Sequence, residues 1–312
     1  MILVKKIIDN RPFMVSIGLI FLGLLLTILS PHFLTLSNML NILRQVSIIG
    51  IVSVGMTCVI ISGGIDLSVG SVLALSAIIG ALALKNGANI PLAIIIALTA
   101  GGVCGFVNGI LITARTKMPP FIATLVMMSI ARGLSLVITS GRPIYGLPSK
   151  FGFIAGGYIF GIPFPVIVMI FIYIIVYFYI TYVKTGMYFY AVGGNEEAAR
   201  LAGINMKNIK ISAYALSGIS AAIGGAILSS RLTSIEPLAG LGYELDAIAA
   251  AVIGGANLMG GEGNLIGTLI GAITMGVLRN GLNLLNVSSY WQQVAIGLVI
   301  AAVVSVNALR KE

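Results

Sequence analysis

About ten apolar runs, each near the ~20 residues a helix needs to cross the hydrocarbon core of a bilayer, follow one another along this chain with short polar gaps between them. Backbone in lipid must satisfy its hydrogen bonds internally, so such runs fold as helices. In the first half the runs are Phe13–Leu29, Ile42–Ser62, Ile65–Leu84, Pro91–Ala114 and Phe121–Thr139. In the second they are Phe164–Val183, Ile211–Ser230, Glu244–Met259, Leu265–Leu285 and Tyr290–Val306, the eighth being short enough for an interruption. Charged residues make up 9% of the 312, against about 25% in a soluble domain, and the mean hydropathy is +1.09. The expected fold class is all-α: a polytopic membrane protein of about ten transmembrane helices. The first run lies behind Lys5, Lys6 and Arg11. It is longer than a usual signal-peptide core, and no small-x-small cleavage site follows it, so it reads as a retained span.

A net charge of +9 raises the question of nucleic acid, but the basic residues form no stripe with interleaved aromatics. They sit in the gaps between apolar runs, where orientation signals belong. With the N-terminus in the cytoplasm, inner segments hold Lys5, Lys6, Arg11, Arg115, Lys117, Lys184, Arg200, Lys207, Lys210, Arg310 and Lys311. Outer loops then hold only Lys85, Arg142 and Lys150, while Arg44 and Arg231 lie near span ends and Arg132 and Arg279 within spans. Both termini are therefore expected in the cytoplasm of a cell whose membrane lipid surrounds the chain. Cys58 and Cys104 each lie inside an apolar run, which implies neither a disulfide frame nor a zinc site. His32 has no second histidine to join it in catalysis or metal binding.

Small residues recur four apart, as in Gly101/Gly105/Gly109 and Gly267/Gly271, a spacing that lets helix backbones approach closely in lipid. Two segments echo each other. Gly64-Ile-Asp66-Leu-Ser-Val resembles Tyr243-Glu-Leu-Asp246-Ala-Ile, and downstream Gly105-Phe-Val-Asn108-Gly109 resembles Gly276-Val-Leu-Arg-Asn280-Gly281. The partners sit five spans apart. An odd number of spans reverses orientation, so the pattern suits an inverted repeat with halves of about 1–160 and 161–312 inside one membrane domain of 1–312.

The segment 184–210, after the sixth span, is the longest polar stretch on the inner side. Asn195 is a good N-cap, Glu196 and Glu197 fall where the helix dipole favours negative charge, and Gly203 is a natural terminator. Between them lie Ala198, Ala199 and Arg200. The caps specify a short surface helix, and its small central residues suit docking in a groove on a cytoplasmic partner.

Here the chain resembles the ribose-type carbohydrate permease family of ABC importers. The stretches that carry the likeness are Ser62-Gly-Gly-Ile-Asp-Leu-Ser-Val-Gly-Ser71, Pro120-Phe-Ile-Ala-Thr-Leu125, Gly193-Gly-Asn-Glu-Glu-Ala-Ala-Arg-Leu-Ala-Gly-Ile204, Tyr243-Glu-Leu-Asp-Ala-Ile248, Gly260-Gly-Glu-Gly263 and Asn280-Gly-Leu-Asn-Leu-Leu285. They run nearly end to end. The resemblance implies a transport subunit rather than an enzyme. It also implies a coupling role for Asn195 to Gly203, a second permease copy, a cytoplasmic ATPase that binds ATP and Mg, and an extracytoplasmic solute-binding protein. The sequence itself contains no Gly-x-x-x-x-Gly-Lys-Ser/Thr loop, so no phosphate cradle of that kind and no cofactor is expected in this chain.

Ionisable residues within a bilayer are costly and mark function. Asp66, Arg132, Glu244, Asp246 and Arg279 are the candidates. Asp66 and Asp246 suit a helix cap or half of an ion pair, with direct solute contact as the competing role. Asn108, Asn280 and Asn283 can hydrogen-bond sugar hydroxyls along a path or bridge helices. An ion-coupled secondary transporter would also use an inverted repeat and buried carboxylates, but needs no capped cytoplasmic helix. An intramembrane enzyme would want a catalytic dyad or a His-Glu-x-x-His motif, and the sequence shows none. ABC permeases for nucleosides or branched-chain amino acids remain as alternatives within the class.

Overall fold

The computed structural model describes residues 11–114 and 118–309. Lys5, Lys6, Arg115, Lys117, Arg310 and Lys311, on which the orientation reading leans, lie outside them. The first half contributes α1 (Arg11–Leu29), α2 (Leu36–Ile61), α3 (Val69–Lys85), α4 (Ile90–Thr113) and α5 (Pro120–Thr139). An outer connection follows, with β1 (Ile144–Tyr145), a 3₁₀ turn (Ser149–Gly152), α6 (Phe153–Gly156), β2 (Tyr158–Ile159) and β3 (Ile162–Pro163). The second half contributes α7 (Phe164–Tyr182), α8 (Lys184–Gly194), α9 (Glu196–Leu201), α10 (Met206–Leu232), β4 (Ser234–Ile235), α11 (Tyr243–Ile253), α12 (Leu265–Leu284) and α13 (Ser289–Leu309).

Each expected run lies on a helix. Among the described residues six helices, α2, α4, α5, α7, α10 and α12, are long and apolar enough to cross a membrane, and Phe13–Leu29 and Val69–Lys85 are shorter apolar helices. The chain is an all-α, multi-pass membrane protein. The third run begins later than its apolar pattern suggested, at Val69, because the chain leaves the helix at Gly63 (φ +82°) and runs through a non-helical turn. The eighth run is interrupted: α11 has 11 residues, about 16 Å at 1.5 Å per residue, roughly half the ~30 Å core. Positive φ at Gly255, Gly260 and Gly261 turns the rest of that run into a loop.

Centre and periphery separate by burial. Within their apolar windows 83% of α2 and 67% of α10 is buried, against 22% of α4, so α2 and α10 form the axis, with the largely buried α3 and α11 against it and α4 facing outward. The two cross where Gly55 meets Ser217, at a point where a Cβ on Gly55 would come 2.6 Å from the Ser217 Cα. The four-apart glycines serve helix packing. Gly101 and Gly105 lie against the α10 carbonyls of Gly218 and Tyr214, and Gly271 lies against the Ala250 carbonyl of α11. A buried hydroxyl pair, Thr57 with Thr268 at 2.8 Å, ties α2 to α12.

Two features depart from the sequence reading. Residues 184–194 fold as α8 rather than as connector, because Gly186, Phe189 and Val192 share one face and bury it. At the opposite end of the bundle the chain forms small antiparallel pairs: β1 pairs β4 (Ile144 with Ile235) and β2 pairs β3. There Arg132 of α5 donates to the carbonyls of Pro237 (2.6 Å) and Ala239 (2.9 Å), pinning the loop that enters α11.

Candidate functional site

The capped segment folds as its chemistry dictates. Asn195 is extended (φ −156°) and its Oδ1 accepts the Ala198 N–H at 2.9 Å. Glu196 and Glu197 occupy the first turn of α9. Gly203 (φ +78°) ends it, with its N–H on the Arg200 carbonyl at 3.0 Å and the Ile204 N–H on the Ala199 carbonyl at 3.1 Å. Arg200 reaches back to Glu197 at 2.5 and 3.0 Å, and its guanidinium holds that carboxyl below the ordinary carboxylate range. Lys210 of α10 pairs with Glu196 at 2.8 Å, which fixes the rotation of α9 on its neighbour. That rotation turns Ala199 into the chain's own core at 4% exposure and leaves Leu201 75% exposed. Ala199 therefore does not face outward, as its central place in the segment had suggested, whereas Ala198, Leu201 and the side chains of Glu196, Glu197 and Arg200 do.

The base of α9 is a junction of bare backbone. The Gly261 N–H donates to the Ile61 carbonyl at 2.9 Å. Gly193 packs so close to the Ile61 carbonyl that a Cβ there would overlap it, and Gly260 (φ +91°) rests on the Gly193 carbonyl and the Gly63 Cα. The end of α2, the end of α8 and the loop after α11 thus meet with no side chain between them. Tyr190 of α8 adds a bond to the Gly263 carbonyl at 3.1 Å.

Asp66 is 1% exposed, in the turn before α3. Its Oδ1 accepts the Ser68 N–H (3.0 Å) and Oγ–H (2.6 Å), and its Oδ2 accepts Ser217 Oγ–H (2.8 Å). Asn108 of α4 donates to Ser68 Oγ at 3.0 Å. One carboxylate thus clasps the start of α3 to α4 and α10, so the chemistry here is that of a structural cap. Ser217 had no signal in the sequence, since its partner lies 151 positions away.

The second echo is built differently. Asp246 of α11, also 1% exposed, receives Nη2 of Arg279 from α12 at 2.8 and 2.7 Å. The adjoining Asn280 forms a reciprocal amide pair with Asn38 of α2, at 2.9 and 2.8 Å. Asn38 escaped notice because the apolar pattern starts only at Ile42, after the true helix start. Asn283 Oδ1 accepts from Gln292 of α13 at 2.8 Å. Glu244 caps its own turn through the Gly242 N–H at 3.3 Å. Of the polar positions singled out in the sequence, Asp66, Asn108, Asp246, Asn280 and Asn283 join one element to another and Glu244 caps its own turn; Asp246 and Asn283 also border a cavity.

A family profile described as "Branched-chain amino acid transport system / permease component" matches residues 38–304. The ribose import permease protein RbsC of Bacillus subtilis is 49% identical over 286 residues, covering 91% of this chain and 88% of that protein. RbsC of Haemophilus influenzae is 46% identical, covering 96% and 93%, and RbsC of Escherichia coli K12 is 45% identical, covering 93% and 92%. No solved structure matches the chain.

Proposed function

The chain belongs to the permease family described as the branched-chain amino acid transport system permease component, and on that premise we propose that it is the membrane-spanning subunit of an ATP-driven importer for ribose or a closely similar sugar. One observation carries the substrate class: ribose import permeases are 45–49% identical to it along nearly the whole of both chains. The family description names branched-chain amino acids, but relatives this similar along nearly the whole chain are named for ribose import, which supports a sugar as the cargo.

The rest of the reading is mechanical. α9, with the flanking segment 184–210, is the joint to a separate cytoplasmic ATPase, which supplies ATP and Mg. A binding protein delivers the sugar at the opposite end, and a second permease copy or close homologue completes the path. The α9 end faces the cytoplasm, and ten passes place both termini there. An inverted repeat of residues 1–160 and 161–312 is supported by reciprocal packing, α10 on α4 and α2 on α12. It is supported too by an aspartate at or before a shortened helix in each half, with an asparagine on the next helix. The test is reconstitution in vesicles with the ATPase and a ribose-loaded binding protein. ATP hydrolysis is expected to rise with the loaded protein and ribose to accumulate inside. Ribose uptake driven by an imposed proton or sodium gradient without ATP would overturn the proposal, as would stimulation by leucine-loaded but not ribose-loaded binding protein.

A further inference from the structure

Between α2, α10, α11, α12 and α13 lies a cavity of ≈140 Å³, room for one small solute or a cluster of waters. It starts near the exposed end of the bundle, at Asn283 and Gln292, and reaches Met275, about 12 Å deeper along α12 at 1.5 Å per residue. Its polar wall is Gln45, Arg231, Tyr243, Asp246, Arg279 and Asn283, and its floor is apolar, with Ile48 and Met275.

The polar groups of this wall are unusually uncommitted. The Gln45 amide and the Tyr243 hydroxyl make no hydrogen bond among the described residues, although both are half-buried. The Arg279 Nε is buried without a partner, while Nη2 holds Asp246. Asn283 accepts from Gln292 through Oδ1, which leaves its Nδ2 free. Among the described residues Asp66 and Asn280, by contrast, spend their side-chain oxygens on bonds within the chain, and outside this wall only Arg44 Nε and Asn108 Oδ1 are buried without a partner. A buried donor left unmade costs about 1–3 kcal/mol; with Arg279 Nε such a donor and the Gln45 and Tyr243 side chains open beside it, the wall is built for something that enters. Hydrogen-bond donors and acceptors beside an apolar floor match a neutral polyhydroxylated ring, which carries a hydroxyl on nearly every carbon and an apolar face.

We propose that this cavity is a sugar-binding station within the permease, in which Gln45, Tyr243, Arg279 and Asn283 bind the hydroxyls of one solute molecule and so give the importer a second filter after the binding protein. The proposal rests on the sugar-importer reading above. Gln45 and Tyr243 are the residues to change, since among the described residues neither side chain holds a helix to another by a hydrogen bond.

In vesicles carrying the full complex, Gln45→Leu and Tyr243→Phe are expected to keep ATP hydrolysis responsive to ribose-loaded binding protein. Ribose delivered per ATP should fall by about tenfold, the effect of about 1.4 kcal/mol. A wild-type ratio in both variants overturns the station. A second arm uses the permease alone. Gln45→Cys, on a Cys58→Ala/Cys104→Ala background, is labelled with a small thiosulfonate in the presence of D-ribose or of betaine at equal osmolarity. Slower labelling with ribose only supports the station, with Asn283→Cys as the parallel probe. Equal rates in both solutes, at both positions, show a cavity that holds only water and overturn it. This arm needs neither ATPase nor binding protein, so it reports on the station even where the complex fails to import ribose and the importer reading itself falls.

Discussion

Arg279→Met removes a guanidinium and leaves Asp246 where it was, 1% exposed and with no other cation bonded to it among the described residues. Breaking a buried pair from one side typically costs about 3–5 kcal/mol, because the remaining charge keeps its desolvation penalty without its attraction. Two features of this pair move the figure toward the lower end. The Arg279 side chain is 31% exposed, so solvent already shares the charge. The stranded carboxyl can also take up a proton, which from an ordinary value near 3.9 costs about 4 kcal/mol at neutral pH and caps the loss. A destabilisation of about 3 kcal/mol is expected. Replacing both partners, Asp246→Leu with Arg279→Met, removes the penalty along with the pair, and such swaps are commonly neutral or stabilising. The assay is the thermal midpoint of the purified chain in lipid nanodiscs, completed as a double-mutant cycle with Asp246→Leu alone. The double variant should recover most of what Arg279→Met loses while sugar delivery stays low. An Arg279→Met midpoint equal to wild type would refute the reasoning, and so would a double variant no more stable than the single one.

Asn38→Leu orphans the amide of Asn280 and is expected to destabilise by about 1–3 kcal/mol, measured by the same midpoint, with Asn38→Leu/Asn280→Leu closer to wild type. Gly105→Leu drives its side chain into the Tyr214 carbonyl and should abolish a monodisperse peak in size-exclusion chromatography, whereas Gly133→Leu, which meets nothing within 4 Å, should leave it intact. Leu201→Asp should give a folded, inserted chain that no longer captures the ATPase in a pull-down. Ala199→Trp should instead lose stability by about 1–3 kcal/mol through overfilling the chain's own core; capture unchanged in Leu201→Asp shows that another surface docks.

What could be read in advance was whatever is local. Asn195 and Gly203 announce both ends of α9 because capping depends only on the backbone within a turn. The ten apolar runs announce helices because lipid leaves the backbone no alternative. The face that α9 shows was hidden, since a helix of six residues has too little periodicity to orient, and the Lys210–Glu196 pair that orients it arises from the next element. α8 was hidden for a related reason: Gly186, Gly193 and Gly194 look like a flexible connector in sequence, yet two of them are small because backbone lies against them. The echo of Asp66 and Asp246 was visible, but not that one would find serines and the other an arginine. Those partners come from helices far along the chain.

At the base of α9, Ile61, Gly193 and Gly260 touch backbone to backbone. Side chains act as springs: rotamers yield, and a push of a few tenths of an ångström is absorbed before it travels. Peptide planes in direct contact have almost nothing to yield with. With α9 as the proposed joint, a displacement of it is expected to reach the turn ahead of α3 and the loop ahead of α12 together, so that both halves of the bundle start to move on the same stroke. On that proposal, lengthening the run between Gly193 and Asn195 by even one residue is expected to put backlash into the joint, so that the partner ATPase spends ATP taking up slack.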